Sequence, residues 1–327
     1  MHDATAGIVA DQNLLLEEFA SDVLQGLSAR KKYLPPKYFY DSRGSKLFEA
    51  ICRTTEYYVT RTEHTILCRN ADSIVAMIPK DTSLVEFGSG NSVKTQLLIE
   101  ALLRRNNMLR YHPIDISSAA LASSERELLQ QYPSLHIGTI HAEYFDGMES
   151  LSTISTGPKL ILFLGSNIGN FEPNEAINFL SEIRNRMNAD DRLLIGVDMV
   201  KDIAVLEAAY NDSHGVTAEF NLNLLRRIDR ELDADFDLAA FRHLALFNPA
   251  KSRIEMHLES LEDQIVTIRT IDKQFTFVKG ETIHTENSYK YSESDLRMLF
   301  GNSALNLIEQ WTDEKRYFTV NLLAPQA

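Results

Sequence analysis

Apolar residues recur at helical spacing between residues 12 and 28, at Leu14, Leu15, Phe19, Val23, Leu24 and Leu27, and again from about Ser45 to Arg53. An N-terminal helical region is therefore predicted. From Ser83 to Asp198 the rhythm changes to short apolar runs separated by amphipathic stretches. This predicts strands at 83–87, 111–116, 135–140, 159–164 and 192–198, with helices at 92–105, 118–131 and 173–188. Such alternation implies a parallel, doubly wound α/β sheet, which binds ligands outside the carboxyl ends of its strands. After Lys201 the pattern turns to helical runs and then to extended segments at 253–258, 264–270 and 275–278, which reads as a second domain. A helix at 292–300 and strands at 305–311 and 317–323 follow, the strands expected as an antiparallel edge of the first sheet. The second domain is then an insertion into the first, with no repeat, low-complexity tract or flexible linker.

Composition narrows the function. A chain of 327 residues exceeds the usual single domain, and 44% apolar with 24% charged residues is ordinary for a folded protein. The formal net charge of −13 argues against a nucleic-acid partner, because phosphate binding draws on clustered Lys and Arg. Cys52 and Cys68 form neither a CxxC pair nor a disulfide framework, which fits the cytoplasm. No basic segment followed by an apolar run opens the chain, and no stretch approaches 18 continuous apolar residues, so neither secretion nor membrane spanning is expected. The nine histidines have no HExxH or similar spacing, and Ser89, Ser92 and Ser166 are in no GxSxG elbow, so neither a metal nor a hydrolase nucleophile is expected. The expected partner is a small molecule, bound by a monomer.

The most informative segment is Leu84-Val85-Glu86-Phe87-Gly88-Ser89-Gly90-Asn91-Ser92-Val93-Lys94, an apolar strand running into a glycine turn that opens a helix. Gly88 and Gly90 leave bare backbone for a ligand, but Val93 fills the place of a dinucleotide fingerprint's third glycine. Glu86 sets a carboxylate beside the turn, which disfavours a pyrophosphate and suits a cationic, phosphate-free cofactor, S-adenosylmethionine. Asp115 ends the second strand, where an acidic residue can accept from ribose hydroxyls. Taken singly, each residue has a plainer reading: Asp115 as a helix cap, Asn170 as a turn, Met256 as core, Glu286 as a solvated side chain.

Their joint order changes that. Leu34-Pro35-Pro36-Lys37-Tyr38-Phe39-Tyr40-Asp41 with Gly44, then Glu56-Tyr57-Tyr58, the glycine turn, Phe163-Leu164-Gly165-Ser166-Asn167-Ile168-Gly169-Asn170, Tyr210 before Gly215-Val216-Thr217, Arg253-Ile254-Glu255-Met256, and Thr285-Glu286-Asn287-Ser288 together resemble the L-histidine Nα-methyltransferases, which make hercynine for ergothioneine synthesis. The resemblance covers about residues 10 to 325. It implies a class I methyltransferase (Rossmann-like) domain over 62–200 plus 291–327, and a discontinuous α+β substrate-binding domain over 1–61 plus 201–290. It also implies Gly88 and Lys94 at the methionine end of the cofactor, Asp115 at the ribose and Glu143-Tyr144 at the adenine, with Glu86 and Gly90 completing the turn. The family usually has Asp-Phe at the adenine position, and proline where this chain has Val59, so the adenine contact and the N-terminal lid depart from the pattern. On the acceptor side the resemblance puts Tyr40 near the α-amine, Asn170 and Tyr210 on the α-carboxylate and Tyr57 close by through water. Glu286 and Ser288 would hold the imidazole nitrogens, while Phe48 and Met256 pack against the ring. A carboxylate and a hydroxyl satisfy both polar atoms of an imidazole, whereas an indole or phenol would leave Glu286 unpaired. The expected reaction is three successive methyl transfers from S-adenosylmethionine, with Tyr40 or Tyr57 routing the amine's proton outward. Alternatives are another amino acid or a ring nitrogen as acceptor, a non-catalytic binding protein, or a nicotinamide oxidoreductase, the last disfavoured by Glu86 and Val93.

Overall fold

The computed structural model describes residues 4–90, 92–154 and 157–326, so Asn91 of the glycine turn lies outside the described residues. In chain order the strands are Ser83–Phe87 (β1), Leu109–Asp115 (β2), Leu135–Ile137 (β3), Ile140–His141 (β4), Lys159–Phe163 (β5), Arg192–Asp198 (β6), Phe241–Asn248 (β7), Arg253–Ser260 (β8), Gln264–Ile268 (β9), Lys273–Phe277 (β10), Thr282–Tyr289 (β11), Leu305–Thr312 (β12) and Phe318–Pro325 (β13). The chain divides into two compact units. One holds 58–202, 249–253 and 288–327; the other holds the residues up to Tyr57, 203–248 and 254–287.

The first unit is built on a sheet of order β12-β13-β6-β5-β1-β2-β3, with β4 also paired to β2. Pairs β1/β2, β1/β5 and β5/β6 are parallel, and β13 runs antiparallel to both β6 and β12. This is the class I methyltransferase arrangement. Every residue of β1 and β5 is buried, which is why these strands read as mainly apolar rather than alternating, with Glu86 and Lys159 as their charged members. The single strand expected at 135–140 is instead two short ones, interrupted where the Gly138 N–H donates to the Tyr111 carbonyl at 2.9 Å. Helices Tyr58–Ala76, Val93–Arg105, Ser118–Gln131, Pro173–Asn185 and Glu293–Asn302 belong to this unit. Of these, Tyr58–Ala76 was not apparent in the sequence pattern. The last two begin with capping boxes, Glu172 with Glu175 and Ser292 with Asp295, and Pro173 opens its helix where a missing N–H costs nothing.

The second unit carries the sheet β11-β8-β7 and the hairpin β9-β10. Asp41 caps the helix Ser42–Ile51 by accepting the Gly44 N–H at 2.7 Å, and it also accepts from Asn223 at 2.8 Å and Arg230 at 2.7 Å. One carboxylate thus ties that helix to the longer Val216–Leu232. Among the described residues no helix is long and apolar enough to cross a membrane.

Candidate active site

At the carboxyl end of β1, Gly88 sits at φ +71° and donates its N–H to the Ile114 carbonyl at 2.8 Å, locking the turn to β2. A Cβ at Gly88 would come 2.8 Å from the Tyr144 hydroxyl and 3.1 Å from Asn167 Nδ2, so the position requires glycine on both conformational and steric grounds. A Cβ at Gly90, φ +50°, would meet nothing within 4 Å: bare backbone faces open space there, as a cofactor cradle requires. Asp115 accepts the Gly90 N–H at 2.9 Å and the Ser117 N–H at 2.9 Å, joining the turn to the end of β2.

Lys94, on the first turn of the following helix, pairs with Glu63. Glu63 comes from helix Tyr58–Ala76, its side chain fully buried, and also accepts the Gly165 N–H through both oxygens at 2.8 and 2.9 Å. A Cβ on Gly196, inside β6, would overlap that carboxylate. Glu63 thus fixes both the ammonium and the loop after β5, and sequence reasoning missed it. The signal was Gly196 itself, since a glycine within a buried apolar strand marks a close approach by another group.

Glu86 is placed beneath the turn rather than on it. Its carboxylate is buried and accepts from Thr95 Oγ1 at 2.6 Å and from the Tyr111 hydroxyl. Burial pushes its pKa up to about 7, against the pull of those two donors. Glu143 is exposed and precedes the helix Tyr144–Glu149. The Tyr144 ring packs edge-on to Phe163 at 5.4 Å and Phe87 at 6.3 Å, which carries its hydroxyl to Gly88. Burial raises that hydroxyl's pKa, with Asp115 adding to the effect.

Asn170 ends the short helix Asn167–Asn170 after β5. A Cβ on Gly169 would lie 2.8 Å from the Tyr289 carbonyl, so this turn and the end of β11 touch backbone to backbone. Ser288, buried on β11, accepts from Lys290 Nζ at 2.7 Å.

In the other unit an aromatic cluster gathers four of the expected residues. Tyr40 meets Phe48 edge-on at 5.7 Å, Phe48 meets Tyr57 at 6.3 Å and Tyr57 meets Tyr210 at 6.0 Å. Phe220 stands 5.9 Å from Tyr40 and 6.0 Å from Phe48. Phe220 was also missed, because at helical spacing in Val216–Leu232 it is indistinguishable from an ordinary core residue. Burial drives the Tyr57 pKa well above its usual value, reinforced by Tyr210, Cys52, Tyr40 and Glu286. Tyr57 is therefore a neutral hydroxyl. The same interactions put Glu286, half-buried on β11, in the electrostatic neighbourhood of this cluster. Tyr210 closes the helix Ile203–Tyr210, and its carbonyl pairs with His243 Nε2 at 2.8 Å. Met256 is buried on the face of β8 that carries Ile254 and Leu258.

Comparison with known proteins agrees with this chemistry. Residues 19–325 match the model of the histidine-specific, S-adenosylmethionine-dependent methyltransferases. Histidine N-alpha-methyltransferase of Mycobacterium tuberculosis is 39% identical over 303 residues, covering 93% of this chain and 94% of that protein. The protein of that name from Mycolicibacterium smegmatis is 39% identical over 306 residues, covering 94% of each. Ergothioneine biosynthesis protein 1 of Neurospora crassa is 32% identical over 304 residues, 88% of this chain but 32% of that longer protein. The glycine cradle and the lysine beside it fit S-adenosylmethionine, and the chain belongs to the S-adenosylmethionine-dependent, histidine-specific methyltransferase family.

Proposed function

We propose that this protein transfers methyl groups from S-adenosylmethionine to the α-amino nitrogen of L-histidine, three times in succession, yielding hercynine. The observation that carries this reading is Glu286, a half-buried carboxylate in the electrostatic neighbourhood of Tyr57, which suits a ring bearing an N–H. Whole-length similarity to the two mycobacterial histidine N-alpha-methyltransferases supports the same acceptor.

When bound, S-adenosylmethionine supplies a methyl group already activated by its sulfonium charge. Lys94 takes the cofactor's carboxylate, Gly88 and Gly90 leave room for its aminoacyl arm, Asp115 accepts from the ribose and the Glu143-Tyr144 pair borders the adenine, while Glu86 holds the turn from below. Asn170 and Tyr210 fix the α-carboxylate of histidine, Glu286 and Ser288 hold the two ring nitrogens, and Phe48 and Met256 flank the ring. Fixing the amine in line with the methyl group contributes about 7 to 11 kcal/mol of the rate enhancement. The amine must shed a proton before each transfer, and Tyr40 and Tyr57 relay it as neutral hydroxyls rather than as anionic bases, in keeping with the raised Tyr57 pKa. Aromatic faces of Tyr40, Phe48 and Tyr57 accommodate the growing ammonium by cation–π attraction. We place the enzyme in the cytoplasm as a monomer without nucleic-acid partners, on its two cysteines outside any disulfide and its charge of −13.

The test is mass spectrometry of the purified protein incubated with S-adenosylmethionine and each of histidine, tryptophan, tyrosine and phenylalanine. Three methyl groups on the α-nitrogen of histidine are expected. Methylation of a ring nitrogen or of another amino acid overturns the acceptor assignment, and no turnover overturns the reading as a whole.

A further inference from the structure

From β1 the sheet runs to β2 and β3 on one side and to β5 and β6 on the other, so its switch point lies between β1 and β5. In open α/β sheets, ligands bind in the crevice that such a reversal opens at the carboxyl ends of the strands. Two glycines border it, Gly88 after β1 at φ +71° and Gly165 after β5 at φ +81°. Asn167, half-buried and in the same sheet unit, reaches both. A Cβ on Gly88 would lie 3.1 Å from Asn167 Nδ2; one on Gly165 would lie 3.5 Å from Asn167 Oδ1 and 3.3 Å from Lys94 Nζ. The amide thus spans the crevice between two stretches of bare backbone. Its oxygen and the Lys94 ammonium border the same space, the space a side chain at 165 would fill. The backbone that delivers Asn167 is strained, since the buried Ser166 before it adopts φ +60°. Ser166 is held there by two bonds, its Oγ accepting the Asp198 N–H and its carbonyl accepting the Gly169 N–H, both at 2.9 Å.

The aminoacyl arm of S-adenosylmethionine carries a carboxylate and an ammonium on one carbon. Lys94 has donors only, so it suits the carboxylate and leaves the ammonium in need of an acceptor. The Glu63 carboxylate next to it is fully buried and is taken up by Lys94 and the Gly165 N–H. Among the described residues the Asn167 amide has no hydrogen-bond partner, and its oxygen is an acceptor at the border of the same space. We propose that Asn167 is a cofactor-binding residue whose side-chain oxygen accepts from the α-ammonium of S-adenosylmethionine, beside Lys94 at the α-carboxylate, so that the crevice selects a zwitterionic arm. This rests on the placement of that arm at Gly88 and Lys94.

The experiment is calorimetric titration of the whole protein with S-adenosylhomocysteine, with its deamino analogue, which lacks the ammonium, and with its decarboxy analogue, which lacks the carboxylate. Wild type should bind S-adenosylhomocysteine about tenfold or more tighter than the deamino analogue, the effect of one hydrogen bond to a charged group. Asn167→Ala should weaken the two ligands that carry an ammonium by that factor and leave the deamino analogue within about twofold, so that the preference collapses. Equal weakening of all three ligands would mean that Asn167 only holds the turn, and no change would remove it from the cofactor; either refutes the proposal. Loss confined to the two ligands that carry a carboxylate would put Nδ2 on that group and overturn the assignment of the oxygen. Should Asn167→Ala not fold, Asn167→Asp decides: it keeps an acceptor and adds a charge, so the preference for a ligand with an ammonium should widen, and a narrower one overturns the proposal. A double variant, Lys94→Met with Glu63→Gln, removes both charges of that pair and tests the placement of the arm separately. It should weaken S-adenosylhomocysteine and leave the decarboxy analogue within about twofold. If it weakens neither, the arm lies elsewhere and the placement fails, taking the role of Asn167 with it; if only the Asn167 variants fail, the placement stands and the role of Asn167 is refuted.

Discussion

At the glycine turn of the sheet unit, backbone amides and one lysine are tied to carboxylates, Gly90 to Asp115, Lys94 and Gly165 to Glu63, while the Gly88 N–H is tied to the Ile114 carbonyl. The aromatic cluster of the other unit contains the Tyr57 hydroxyl, whose pKa burial raises, rings set edge-on 5.7 to 6.3 Å apart, and the Glu286 carboxylate in its electrostatic neighbourhood. The two regions thus meet different demands. A turn that must accept the same cofactor at every turnover is fixed by backbone geometry and ion pairs. If the aromatic cluster holds the acceptor, as proposed above, it needs surfaces that stabilise a cation without forming a salt bridge to it, because the acceptor gains charge as it is methylated. Carboxylates under the turn contribute rigidity; on the function proposed above, the carboxylate at the rings contributes selection.

The sharpest way to break this contrast is Gly88→Val. The substitution puts a branched side chain at φ +71° and drives it against the Tyr144 hydroxyl and Asn167. Affinity for S-adenosylhomocysteine, measured by calorimetry, should fall by about a thousandfold, roughly 4 kcal/mol. Retention within tenfold would mean that side chains rather than bare backbone carry cofactor recognition.

A second test concerns the buried carboxylate below the turn. Glu86 has an ordinary pKa of 4.5 when exposed and about 7 in the fold, so the native state binds the extra proton between those values. A carboxyl group whose folded pKa is raised loses stability as pH rises through that window, and carries its full penalty above it. In Glu86→Gln this slope should vanish, leaving the variant about 3 kcal/mol more stable relative to wild type at pH 8 than at pH 4. The single tryptophan, Trp311 on β12, reports unfolding of this unit in urea. Parallel pH profiles would show that Glu86 stays ionised and that the turn is not built over a neutral acid. On the acceptor side, Glu286→Ala should lower kcat/KM for histidine about thirtyfold, the worth of a charge-assisted hydrogen bond, and leave cofactor affinity within twofold. Unchanged histidine kinetics would remove the carboxylate from the selection of substrate.

The same contrast explains what the sequence made legible. β1, β5 and β6 fall within a residue of the expected positions because strands buried on both faces read as continuous apolar runs. β7 and β11 did not declare themselves, since half-buried residues interrupt their alternation and the polar Thr285-Glu286-Asn287-Ser288 reads as a loop. Helix Tyr58–Ala76 was obscured by Glu63, a carboxylate where a core-facing position would ordinarily be apolar. Motif order supplied the glycine turn and the residues assigned to the pocket. It was silent on Glu63 and Phe220, whose meaning lies in what they touch, and a one-dimensional pattern carries no contacts. Gly196 shows the limit, because it signals that something approaches β6 without saying what.

The smallest effect is expected where the chain departs from its family. By the resemblance, Tyr144 stands where the family usually has phenylalanine, and its ring packs against Phe87, Phe163 and Phe179, which Tyr144→Phe preserves. The hydroxyl that would be lost reaches Gly88 but sits in a desolvated place, and any bond it donates to a bound cofactor is offset by the cost of keeping it there. Cofactor affinity should therefore change by less than about threefold, read from titration with S-adenosylhomocysteine. A tenfold loss would make the hydroxyl a cofactor ligand in its own right. Recognition at the turn would then depend on a side chain after all, and the difference between the two units would be one of degree: a tyrosine hydroxyl would be doing at the cofactor what is proposed for Tyr40 and Tyr57 at the amine.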